Sequence, residues 1–199
     1  MDTIYENNLD QAILAKVKGD FFPDDSPIIV DESLEGQTVR DGRYVIGPWA
    51  GPGSDIHNLF HEMGHFADRE IEALLEYPFN SWGYSFGRPW SIAGQSGFEP
   101  QTDQSVRREM NCWAYQVSLS RHYGCEQSTQ DVVRSAVYLD AFMFYKMEEG
   151  RQLEYKDRNK FKLSIMADEV EKLTATTHTF SNFLLEWNKR IYALKKDTL

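Results

Sequence analysis

His61-Glu62-Met63-Gly64-His65 constrains this chain more than any other stretch, because its H-E-x-x-H pattern carries chemical meaning only on a helix. Four residues apart on an α-helix, the two imidazoles share a face and can reach one metal ion. Glu62 then projects beside that ion, where a carboxylate can hydrogen-bond a water and take its proton. Zinc suits such a place. It accepts imidazole nitrogen and carboxylate oxygen, and a catalytic zinc takes three protein ligands with one position open for water. The pattern therefore predicts a zinc-dependent peptidase with His61 and His65 as metal ligands and Glu62 as general base. The plainer alternative is a helix whose histidines are satisfied polar groups at the edge of a core.

The flanks supply the helix that the pattern needs. Ser54 or Asp55 can cap it just after the Pro52-Gly53 breaker. Ile56, Leu59, Phe60, Met63, Phe66 and Ala67 then form an apolar stripe at helical spacing, which predicts a half-buried helix over roughly 54–75. His57 lies four residues before His61, near the same face. Two such steps drift about 80° around the axis, so His57 is expected to contact substrate, support a ligand or sit on the surface rather than join the metal.

Around this helix the chain reads as α+β, a small antiparallel sheet with helices packed on it. Ile4 to Val17 mark a short amphipathic helix over 4–18, broken at Pro23-Asp24-Asp25. Pro27 to Val30 and Val39 to Ile46 read as short strands linked by the turn-rich Glu35-Gly36 and Asp41-Gly42 segments, the latter a candidate hairpin turn. Tyr77 to Gln104 is a long loop rich in aromatics, including Trp82, Tyr84, Phe86, Trp90 and Phe98. Such a loop either covers a substrate cleft or closes the core as a structural element. Helical spacing returns over 103–123, 129–149, 160–174 and 180–195, with Arg151 to Asn159 a charged connector. At 199 residues, without an internal repeat, the whole chain (1–199) is expected to be one domain, helical in its C-terminal part from about 125.

Two histidines do not hold a catalytic zinc, so a third donor is expected. The extension H-E-x-x-H-x-x-G-x-x-H is absent, since Asp68 and Ile71 stand where Gly and His would be. Asp68 has a short side chain one turn beyond His65, and suits a partner for a histidine N–H better than a ligand. Glu109 is the stronger candidate. Val106 and Trp113, three residues before and four after it, put Glu109 at the edge of a buried helix face, where a carboxylate needs a partner. Arg107 or Arg108 could be that partner instead; Glu99, His122 and His178 are lesser alternatives as metal donors.

H-E-x-x-H on one helix with a glutamate on a later one resembles the gluzincin metallopeptidases, such as thermolysin. The strands before the metal helix, the small size and Glu109-Met110-Asn111-Cys112-Trp113-Ala114 are more similar to the compact zincin domains of the ImmA/IrrE and ArdC type. Those domains occur in mobile elements, phages and stress regulators. The resemblance covers roughly residues 28–123, with Glu109 standing 44 positions after His65. It implies a zincin-like fold, His61, His65 and Glu109 as zinc ligands, and Glu62 as the base.

The expected reaction is peptide-bond hydrolysis by a zinc-activated water. Glu62 takes the proton and passes it to the leaving amine, while Tyr115, His122, Tyr123 or His178 stabilises the oxyanion. Partners are then a protein or peptide substrate. The net charge of −10 argues against unaided binding to nucleic acid or an anionic membrane. The same acidity allows a different reading, a non-catalytic zincin-fold protein of a phage or mobile element that binds a host regulator or nuclease. An intact Glu62 and acids scattered among basic residues speak for catalysis. Without a secretory signal or a long apolar run, a complete chain is expected in the cytoplasm. Cys112 and Cys125 read as free thiols, with a role near the metal open to Cys112, one helical turn from Glu109.

Overall fold

The structure is a computed structural model and describes residues 11–34, 36–47, 56–68, 103–132, 167–176 and 178–197. Helix α1 (Gln11–Phe21) leads into strands β1 (Ile28–Val30), β2 (Gly36–Arg40) and β3 (Arg43–Gly47), then helix α2 (Ile56–Ala67) and helix α3 (Asp103–Tyr123). Residues 129–132 and 167–176 are helical, the latter called α4 here, and α5 (Phe180–Asp197) follows. The expected loop over 77–104 lies outside the described residues up to 102, as do Glu99, the connector Arg151–Asn159, and residues 4–10, 54–55, 69–75, 133–149 and 160–166 of expected helices.

The mixed α+β character is as expected, but the sheet is not the antiparallel one. Its order is β1-β3-β2, and β1 runs parallel to β3 with Ile28 opposite Tyr44 and Val30 opposite Ile46. Only β2 and β3 pair antiparallel. Arg40 faces Arg43 across a two-residue turn, Asp41-Gly42, in which both φ angles are positive (53° and 73°). That is the hairpin turn an Asp-Gly pair favours, because its twist matches the strands. Gly36, expected in a turn, opens β2. The parallel pairing comes from the link after β1. Asp31 accepts hydrogen bonds from the Ser33 backbone N–H (3.0 Å) and from Arg40 Nη1 (2.8 Å), while its own N–H donates to Ile46 O (3.0 Å). These contacts turn the chain back past the end of β3, so that β1 and β2 flank it instead of forming a meander.

Helix α2 rests on this sheet, with Phe66 edge-on to Tyr44 at 6.2 Å. Its whole expected stripe is buried: Ile56, Leu59, Phe60, Met63, Phe66 and Ala67. Aromatic side chains join α1, α2 and α5 into one core. Phe21 meets Phe183 and Trp187 edge to face at 5.5 Å each, and Trp187 meets Phe66 at 4.6 Å. Trp187 Nε1 also donates to Phe21 O (3.2 Å), satisfying a carbonyl at the end of α1. Helix α3 is covered on both sides. Residues 112–120 are all buried, and its second face packs Trp113, Ala114 and Val117 against Val132, Ala167 and Val170. Among the described residues, no helix is long and apolar enough to cross a membrane.

Candidate metal centre

Helices α2 and α3 lie antiparallel, and two imidazole contacts fix their register. His57 Nδ1 is 2.8 Å from Ser120 Oγ, and His65 Nδ1 is 3.2 Å from Cys112 Sγ. Eight residues forward along α2 correspond to eight residues back along α3. The helices press together at Gly64, where a Cβ would stand 2.9 Å from Cys112 Cα and 3.1 Å from its carbonyl oxygen. The absent side chain is therefore what lets the second histidine approach α3.

Between these contacts the H-E-x-x-H residues converge. His61 Nε2 and His65 Nε2 are 3.1 Å apart, with the two rings nearly perpendicular (88°). Among the described residues, His61, Glu62 and His65 are the group whose ligand atoms all lie within 4.8 Å of one another. His65 is buried at 5% exposure, whereas His61 and Glu62 are half-buried and face the edge of the core. The spacing can be set against the chemistry of zinc. Two nitrogens bound tetrahedrally at the usual bond length stand about 3.3 Å apart, so the observed pair fits a shared ion with little movement.

Glu109 belongs to α3, three residues before Cys112, and its side chain lies outside the described residues. Helical geometry sets its backbone one turn toward the α3 N-terminus from the residue that touches His65, at the level of Asp68 on α2. Asp68 accepts a hydrogen bond from Asn111 Nδ2 (3.1 Å), and Asn111 Oδ1 accepts from His178 Nε2 (3.2 Å). Sequence reasoning did not find this Asp68–Asn111–His178 chain. His178 follows α4 in the link to α5, far from Asn111 in the sequence, and no local pattern joins them.

The candidate oxyanion donors separate clearly. His178 uses its Nε2 proton on Asn111, and its Nδ1 is, among the described residues, the one buried side-chain nitrogen or oxygen without a hydrogen-bond partner. Burial lowers its pKa to about 4, so at neutral pH Nδ1 is bare and cannot donate to an oxyanion. Tyr123 donates to Asp20 (2.7 Å) and stacks on Phe60, while the exposed His122 lies flat on Phe180 at 3.5 Å. Both stand ten or more residues from Cys112, about 15 Å along the helix, and so belong to the other end of the α2–α3 pair. Tyr115 is one turn from Cys112, buried against His178 at 4.0 Å, and burial first and then the charge of Asp68 hold its phenol protonated. Of the four, Tyr115 is the one that is both within a turn of Cys112 and a protonated donor.

His57 is explained by Ser120. The Ser120 hydroxyl donates its single proton to Gln116 O (2.7 Å), so the His57 Nδ1–H must donate to Ser120 Oγ. It ties α2 to α3.

No protein-family model, no curated protein and no solved structure matches this chain.

Proposed function

We propose that the chain is a zinc-dependent peptidase with a zincin-like active site of the gluzincin kind. The observation that carries this reading is the convergence of His61 Nε2 and His65 Nε2, 3.1 Å apart on one helix, with the Glu62 carboxylate in the same cluster. His61, His65 and Glu109 would hold the ion. Zinc bound there would supply a Lewis acid that lowers the pKa of water toward about 7 and polarises a carbonyl.

The protein's own groups do the rest. The Glu62 carboxylate takes a proton from the attacking water and returns it to the leaving amine. Glu62 is half-buried, so its carboxylate is open to a substrate from the solvent side. Met63 and Phe66 are buried beneath the motif and hold the helix against the core, so the two rings keep their mutual angle. The Tyr115 phenol, kept protonated, can donate to the oxyanion as the carbonyl becomes tetrahedral.

A peptide library incubated with zinc-loaded protein and read by mass spectrometry tests the reading. Cleavage by wild type, with a loss of about 10²–10⁴-fold in Glu62→Gln, is the expected result. Cleavage at the native rate by Glu62→Gln would overturn it.

A further inference from the structure

We propose that Cys112 is a positioning residue for His65: its sulfur accepts the His65 Nδ1–H and holds the ring in the tautomer whose Nε2 lone pair faces His61. This rests on reading the cluster as a zinc site, yet it concerns a property that the protein has without the ion. Sulfur and nitrogen are 3.2 Å apart, with Cys112 at 0% and His65 at 5% exposure, so the contact is shielded from bulk water. The approach is fixed by backbone rather than by a side-chain rotamer alone, because Gly64 lets Cys112 Cα and Cβ press against α2 directly beside His65.

The direction of this hydrogen bond decides what His65 can do. A neutral imidazole carries one proton. If the thiol donated to Nδ1, that proton would sit on Nε2 and block metal coordination. With Nδ1–H donating to sulfur, Nε2 is bare. The 3.1 Å contact between the two Nε2 atoms then runs from His61 N–H to His65. Coordination displaces only the proton of the half-buried His61, while the buried His65 is already in its ligand form. Metal-binding histidines commonly give their second N–H to a carboxylate or carbonyl. A thiol does the same work here without setting another negative charge beside Glu62.

Long-range proton–nitrogen spectra of ¹⁵N-labelled, metal-free protein test the proposal, with His65→Asn assigning the signals. In wild type, His65 is expected to be protonated at Nδ1. Cys112→Ala, which leaves the Gly64 contact room, should release that tautomer and weaken zinc binding about 10–100-fold, measured by chelator competition. Cys112→Ser restores an acceptor oxygen and should recover part of both. A wild-type His65 protonated at Nε2 would overturn the proposal, as would zinc affinity unchanged in Cys112→Ala. The wild-type tautomer decides even if Cys112→Ala does not fold. A wild type that binds no zinc but shows the Nδ1–H tautomer, lost in Cys112→Ala, would sink the zinc reading and uphold this one.

Discussion

The two ends of the α2–α3 pair use the same device to different effect. At one end His57 donates its Nδ1 proton to Ser120, a hydroxyl whose own proton is committed to Gln116. At the other, His65 meets Cys112 through the same ring nitrogen, and its Nε2 faces a second imidazole. Eight residues separate the two histidines and eight separate their partners, so one antiparallel register serves both. An imidazole bridging two helices is thus not in itself a metal site. The second imidazole and the neighbouring carboxylate are what set the proposed one apart.

The contrast is broken most sharply by truncating the two histidines in turn. His65→Ala should weaken zinc binding beyond the roughly 10–100-fold that loss of a supporting group costs, whereas His57→Ala should leave it unchanged. Equal losses in chelator titrations would mean that the two ends do not differ. Gly64→Ala strikes a tight approach of the helices, where the new methyl meets Cys112 backbone that a rotamer change cannot move. It should destabilise by about 1–3 kcal/mol in denaturant unfolding and also weaken zinc binding, because Cys112 is displaced from His65. A normal unfolding midpoint would show that the helices have room to spare.

Burial of His178, at the end of the Asp68–Asn111–His178 chain, gives the His65 end a pH dependence. The folded pKa of His178 is about 4, below its ordinary 6.5, so the unfolded chain takes up a proton first as pH falls. Stability is therefore whole above about pH 6.5 and declines between 6.5 and 4. Unfolding temperatures across that window should fall less steeply for His178→Gln than for wild type, and parallel curves would contradict the assignment. The smallest effect is at the far end. His57→Ala should cost about 1 kcal/mol, one net hydrogen bond, in an equilibrium unfolding measurement.

Local periodicity was enough to read α2, because every apolar position from Ile56 to Ala67 faces the core, and the Asp41-Gly42 hairpin, because that pair favours positive φ at both positions. The parallel β1–β3 pairing was not legible. It depends on Asp31 gathering Ser33, Arg40 and Ile46, three contacts with no shared spacing. Within the site, His61, Glu62 and His65 stood in one short motif that carries its own geometry. Cys112 was visible only as a thiol one turn from Glu109, and its contact with His65 spans 47 residues. His178 reaches Asn111 across 67 residues through the packing of α5, and periodicity indicates which face of a helix is buried without naming what covers it.

Metal content by mass spectrometry, on wild type and Glu109→Ala purified without added metal, tests the zinc centre most directly. About one zinc per chain in wild type and a sharp loss in Glu109→Ala is the expected result. Wild type devoid of zinc even after the ion is added back would contradict it.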